Sequence, residues 1–163
     1  MKGRIHLLCG RLCCGKSTYA RQLAAREKGV ILSSDELMLM LELDELLKGC
    51  GDVHALMTPK VTAYLFKKAE EIAAAGTDVV IDLGFWQRAE RQRISEMLRE
   101  HGVDFLWHYI SVSDEDWKAF IERRNLSGEG YTIDEGLMEK FLGLFEPPER
   151  EEMDVWHENR LMD

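Results

Sequence analysis

Gly10-Arg11-Leu12-Cys13-Cys14-Gly15-Lys16-Ser17 is the stretch from which the rest of the chain can be read. It fits G-x-x-x-x-G-K-[ST], the pattern of a phosphate-binding loop. At an average glycine usage of about 7%, a chain of this size would match by chance roughly once in two hundred times. The flanks also meet the mechanical need. Ile5–Cys9 is a short apolar run ending at Gly10, as expected of a strand buried on both faces. A helical stretch follows from residue 16 to about residue 28, with Tyr19, Leu23 and Ala24 on one face and Gly29 as its stop. In such a unit the glycines let backbone N–H groups turn toward a β-phosphate, and the helix N-terminus adds partial positive charge. Lys16 would reach the β- and γ-phosphates, and the Ser17 hydroxyl would ligate Mg²⁺. The expected nucleotide-binding residues are therefore Gly10, Arg11, Leu12, Cys13, Cys14, Gly15, Lys16, Ser17 and Thr18, with ATP and Mg²⁺ as ligands. A glycine-rich turn with an exposed lysine is the plainer alternative, but it leaves the flanking strand and helix unexplained. Cys13 and Cys14 read as small side chains that fit the turn, or as a reactive vicinal pair, since a helix N-terminus lowers thiol pKa.

Outward from this loop the chain alternates. Val30-Ile31-Leu32 reads as a second strand, delivering Ser33-Ser34-Asp35-Glu36 at its end. A helical stretch to about residue 47 and a loop with Gly49, Gly51 and His54 come next. Thr58 and Pro59 predict the cap and first position of another helix, whose buried stripe is Val61, Leu65, Ile72 and Ala73. Val79-Val80-Ile81 is a third buried strand ending in Asp82, followed by a helix over residues 90–100 that turns Ile94, Met97 and Leu98 inward. Phe105–Val112 is a fourth strand. Ser113 with Asp116 opens a helix bearing Trp117, Phe120 and Ile121, and Thr132 with Glu135 forms a capping box for another carrying Leu137, Phe141 and Leu142. Pro147-Pro148 closes the regular part, and Val155-Trp156 reads as a last edge strand. Strands alternating with helices imply an α/β fold, a parallel sheet covered on both faces and joined by right-handed crossovers. No repeat or linker divides the 163 residues, so a single domain over 1–163 is expected, of a size that buries a full core.

Twenty-one basic against thirty acidic side chains give a net charge of −9. That balance argues against a partner bound through its phosphate backbone, which calls for clustered Lys and Arg. The basic start is interrupted by Arg11 too early for a signal peptide, and no run nears the roughly 20 apolar residues of a membrane span. A cytoplasmic protein without a membrane partner is expected, its four cysteines reduced.

In a parallel sheet, ligands bind outside the carboxyl ends of the strands. Three such ends carry polar groups here: the loop, Ser33-Ser34-Asp35 and Asp82-Leu83-Gly84. With the third strand beside the first, Asp82 falls near Ser17 as a second Mg²⁺-holding group. Asp35 then sits across the cleft, where a carboxylate can orient and deprotonate an acceptor hydroxyl. Either aspartate could instead be a helix N-cap. Phosphoryl transfer also needs cations over the moving group. Arg88, Arg91 and Arg93 open the helix after Asp82, and Arg91 could point back into the cleft toward substrate. Arg123 and Arg124 precede a glycine-containing loop placed where a lid would close, about residues 125–135. Each of these arginines could equally be a solvated surface charge. His54, His101 and His108 have no partner spacing and read as structural or surface residues.

These residues resemble the small P-loop kinases, a group that includes the 5′-hydroxyl kinase domain of polynucleotide kinase, chloramphenicol phosphotransferase, zeta-toxin-type kinases and many AAA-type ATP-binding proteins. The likeness runs through Gly10 to Ser17, Ser34-Asp35, residues 79–82, Arg91, residues 120–125 and Phe145-Glu146-Pro147-Pro148. It implies a P-loop NTPase α/β/α sandwich with a five-stranded parallel sheet ordered 2-3-1-4-5 and a lid segment. It also implies an ATP- and Mg²⁺-dependent phosphotransferase acting on a small-molecule hydroxyl acceptor. In that resemblance Lys16 and Ser17 bind phosphate and Mg²⁺, Asp35 is the acceptor-side base and Arg124 the catalytic lid arginine. Two departures stand out: Ser34 replaces an arginine common before the second-strand aspartate, and Asn125-Leu126-Ser127-Gly128 lacks a second lid arginine. With the charge of −9, these weigh against a polynucleotide 5′-hydroxyl as acceptor. A P-loop ATPase or nucleotide-binding regulatory module is the other alternative, though the N-K-x-D motif of a GTPase is missing.

Overall fold

Ile5–Cys9 (β1), Val30–Ser33 (β2), Val79–Asp82 (β3), Phe105–Val112 (β4) and Val155–Asn159 (β5) pair as one parallel sheet in the order β2-β3-β1-β4-β5. The order implied by the resemblance is thus the one found. The computed structural model describes residues 2–127 and 133–160. The five residues of β1 are all buried, as expected of a mainly apolar central strand, with His6 its one polar member. Alternate side chains feed two cores. Ile5, Leu7, Cys9, Val79, Ile81 and Trp107 meet Phe66, Ala69 and Ala73 of helix α4 (Val53–Ala74) and Ile94 and Leu98 of α5 (Arg88–Glu100). On the opposite face Leu8, Val80 and Ile110 meet Ala20 and Leu23 of α1 (Lys16–Glu27) and Trp117 and Ile121 of α6 (Asp114–Ser127). Because β1 has β3 on one side and β4 on the other, its carboxyl end is the point where the winding reverses, and a crevice opens there.

Two helix boundaries differ from expectation. The stretch after β2 is broken into α2 (Ser34–Met40) and α3 (Leu43–Leu46) because Glu42 adopts φ 48°, a left-handed conformation that no helix continues through. Helix α4 starts at Val53, not at Pro59: the Asp52 side chain accepts the Ala55 N–H at 3.0 Å as N-cap, and Pro59 lies inside the helix. A proline there removes one helical hydrogen bond. Val53, Val61 and Leu65 pack with Met38 and Leu43 in a third apolar cluster that spans the proline, so burial carries the helix across it. Helix α7 (Glu135–Leu144) and a 3-10 turn (Arg150–Glu152) complete the chain. Residues 128–132 of the expected lid, Gly128, Gly130 and Thr132 among them, lie outside the described residues, as does the side chain of His54.

One polar chain crosses the core. Asp78 Oδ2, His6 Nε2, His6 Nδ1, His108 Nε2, His108 Nδ1 and the Tyr19 hydroxyl are linked in sequence at 3.3, 2.9 and 2.9 Å. The order fixes both tautomers when both rings are neutral. Tyr19 donates to His108, His108 Nε2–H donates to His6, and His6 Nε2–H donates to the carboxylate. His108 is 1% exposed. Burial, the neighbouring His6 and Arg26 together pull its pKa from 6.5 down to about 4. The histidine set aside in the sequence for want of a partner therefore has two.

Candidate active site

The loop between β1 and α1 is held from outside by side chains of the segment after β3, of α6 and of β5. Trp86 Nε1 donates to the Gly10 carbonyl at 3.1 Å, Trp117 Nε1 to that of Leu12 at 2.6 Å, and Asn159 Nδ2 to that of Cys14 at 2.8 Å. Arg11 lies against the ring of Trp117 and is tied to Asp114 at 2.7 Å and to the Val112 carbonyl at 2.6 Å. With these carbonyls engaged by the scaffold, the loop is set before a ligand arrives, which is what an anion cradle built from amides requires. Gly15, with φ 92°, caps α1, and a Cβ on it would lie 2.2 Å from Asn159 Nδ2. A Cβ on Gly10 would meet Cys14 Sγ at 2.6 Å and the Ile110 carbonyl oxygen at 2.8 Å. The glycine positions of the pattern are therefore closed to any side chain. Lys16 folds over the loop, donating to the carbonyls of Gly10 at 3.0 Å and Arg11 at 2.5 Å. Ser17 and Thr18 follow on the exposed first turn of the helix.

The two cysteines divide. Cys14 is buried, and burial raises its pKa despite the lysine ammonium nearby, so it fills space as a neutral thiol. Cys13, at φ 56°, turns its sulfur toward α6, where Arg124 Nη1 donates to it at 3.1 Å. The arginine expected in the lid is thus against the loop. At the foot of the lid, Asn125 and Ile133 exchange two hydrogen bonds of 2.9 Å, side-chain amide to backbone, which hold the two ends of the intervening segment together.

Asp82 stands at the end of β3, in register with Ser33 and near Ser17 at the start of α1. Burial raises its pKa, the nearby Ser17 side chain and the Lys16 charge oppose the rise, and the charge of Asp35 adds to it. Asp35 is therefore close enough to be felt at Asp82. Its alternative role as N-cap is taken by Ser33, whose hydroxyl accepts the Glu36 N–H at 3.3 Å. The Asp35 side chain, in the exposed first turn of α2, stands clear of that duty.

Arg91, expected to point into the crevice toward substrate, is instead 2% exposed and held by protein groups. Its Nε and Nη2 donate to the Glu152 carboxylate at 2.9 and 3.3 Å, and Nη1 lies 3.1 to 3.2 Å from the carbonyls of Phe85, Trp86 and Glu146. With its donors directed to protein acceptors, it fastens the segment after α7 to the start of α5. Phe85, at φ 44°, carries one of those carbonyls. That turn aims Trp86 at the phosphate loop, a task the sequence did not reveal. Arg88 likewise pairs with Glu149 at 2.8 Å. Asn159 also went unseen, since nothing near it in sequence marks a loop that lies 144 positions earlier.

The AAA domain family matches the chain over residues 5–148. No curated protein matches it in sequence. Among solved structures, the APS kinase CysC of Mycobacterium tuberculosis, in complex with AMPPNP and APS, superposes with a TM-score of 0.66 at 17% identity, covering 96% of this chain and 88% of that one. Kti12 of Chaetomium thermophilum, in complex with ADP-AlF3, gives 0.69 at 14% identity over 96% and 88% of the two chains. A gluconokinase from Sinorhizobium meliloti 1021 gives 0.61 at 18% over 96% and 82%. At these identities the likeness is one of fold, that of P-loop kinases.

Proposed function

The chain belongs to the AAA domain family, and from that footing we propose that it is an ATP- and Mg²⁺-dependent kinase that transfers the γ-phosphoryl group to a hydroxyl of a small-molecule acceptor. The observation that carries this reading is the meeting of three strand ends. The Ser17 side chain, the Lys16 ammonium and the Asp35 charge all act on the Asp82 carboxyl. A hydroxyl beside a carboxylate suits Mg²⁺, which takes oxygen ligands and keeps several waters. Ser17 and Asp82 would hold it, and the bound ion neutralises charge on the β- and γ-oxygens. Lys16 exchanges its two loop carbonyls for phosphate oxygens, and Gly10 to Thr18 supply the amide cradle. Arg124, already against Cys13, offers its guanidinium to the transferring group. Asp35 takes the proton of the acceptor hydroxyl as that oxygen bonds to the γ-phosphorus and the bond to the β,γ-bridging oxygen breaks, leaving ADP.

The test is Asp35→Asn, assayed for ATP binding and for phosphate transfer across a set of hydroxyl compounds. Transfer is expected to fall by about 10² to 10⁴, the range for a general base, with ATP affinity retained. Full activity in that variant would remove Asp35 from the mechanism. Hydrolysis of ATP with no transfer to any hydroxyl would instead favour an ATPase or regulatory module, and steeply salt-dependent oligonucleotide binding a polynucleotide acceptor.

A further inference from the structure

The two walls of the crevice are opposite in character. The donor side carries Lys16, Arg124 and the N-terminus of α1. Residues 34–58 on the acceptor side hold six carboxylates, Asp35, Glu36, Glu42, Asp44, Glu45 and Asp52, against one lysine. That net −5 is more than half of the −9 of the whole chain. The single lysine, Lys48, is matched to Glu45 at 3.7 Å. Interleaved with these acids are apolar side chains left in solvent: Leu39, Met40 and Leu46 are 74%, 76% and 71% exposed, with Leu41 and Leu56 beside them in sequence also exposed. The helices that carry them are anchored by the packed cluster of Met38, Leu43, Val53, Val61 and Leu65, with Leu37, Leu47 and Met57 against it. Asp35 and Leu39 stand four residues apart on α2, on one face of the helix. An apolar surface therefore begins one helical turn beyond the proposed base.

We propose that the acceptor is a cationic amphipathic alcohol, an amino alcohol with an apolar body, received by the acidic, leucine- and methionine-rich surface of residues 34–58 next to Asp35. This rests on the kinase reading for its hydroxyl and on charge complementarity for its cation. An anionic acceptor would bring its charge against these carboxylates with no guanidinium among residues 34–58 to receive it. A neutral polar sugar would leave the exposed leucines and methionines uncovered.

Three octyl-chain alcohols separate the possibilities: (2-hydroxyethyl)dimethyloctylammonium, uncharged 2-(octyloxy)ethanol and anionic 2-hydroxydecanoate. Their binding to the full chain is measured by calorimetry with and without AMPPNP. At low salt the cation is expected to bind at least about tenfold more tightly than the anion, with the neutral compound between. That gap should close toward 1 M salt, where the screening length is about 3 Å. The Glu36→Gln/Glu42→Gln double variant should shrink it by about threefold, the scale of exposed charge pairs. Leu39→Gln should weaken all three. Equal binding, anion preference or no binding by any compound overturns the inference. Transfer from ATP is followed separately on the same compounds. A cation that binds in the expected order without phosphate transfer to any compound defeats the kinase reading and leaves the surface reading standing. Preferential phosphorylation of the hydroxy acid does the reverse.

Discussion

Acidification should unfold this protein through His108. The group is held neutral inside the sheet, with a folded-state pKa of about 4 against an ordinary 6.5. The unfolded chain therefore binds a proton that the folded chain refuses, and the stability present above pH 6.5 is lost as pH falls toward 4. The full difference is about 3.5 kcal/mol, from 2.5 units at roughly 1.4 kcal/mol each. By pH 5 about 2 kcal/mol of it is gone, a large part of the roughly 5 to 15 kcal/mol that holds a domain folded. The assay is urea denaturation at pH 7.5, 6 and 5, followed by tryptophan fluorescence. With an m-value of about 2 kcal/mol per molar, the midpoint should drop by about 1 M between the extremes. Burial-raised groups such as Asp82 and Glu90 push the other way, since they bind protons more readily when folded. The informative quantity is therefore the difference in slope from His108→Gln, which keeps a polar side chain but has no imidazole to titrate and leaves those carboxyls in place. That variant should start lower and fall less. Parallel slopes for the two proteins would refute the assignment of the acid loss to this chain of hydrogen bonds.

Arg91→Met should lower stability by about 3 kcal/mol, because it strands Glu152 and three carbonyls, and it should leave ATP affinity nearly unchanged once the protein is folded; denaturation and nucleotide titration separate the two. Asn159→Ala frees the Cys14 carbonyl and should weaken ATP binding about fivefold, the worth of roughly 1 kcal/mol of lost preorganisation, as read by calorimetry. Pro59→Ala restores a helical hydrogen bond inside α4 and should raise the thermal midpoint, by an amount corresponding to about 1 to 3 kcal/mol. A lower midpoint would show that the proline is favoured by what it removes from the unfolded state.

The sheet and the phosphate loop were legible because their signals are local: a strand buried on both faces reads as a mainly apolar run, and a loop of amides needs glycine at set positions. Where local signals compete, the sequence misled. Thr58-Pro59 and Asp52 are both sound helix starts, and only the burial of Val53 against Leu43 and Leu65, spread over distant positions, selects the second. Asp35 was the cap the sequence offered, and the Ser33 hydroxyl took the role instead, which leaves the carboxylate beside the crevice. Arg91 was conspicuous as a cation at a helix start, but its destination depends on Glu152, 61 residues later. His6 and His108 are 102 residues apart, and only the pairing of β1 with β4 makes them neighbours.

The hydrogen bond from Asn159 to Cys14 also sets an order of events during synthesis. The phosphate loop leaves the ribosome ahead of the side chain that steadies it, which is made 145 positions later, on the edge strand of the sheet. Chains emerge N-terminus first, and contacts of such separation form late. A nascent chain that already holds β1, α1 and β3 therefore lacks one brace of its loop, and nucleotide would gain full grip only when β5 docks. ATP present during refolding should then act on the last step, favouring the docked edge strand over the undocked one.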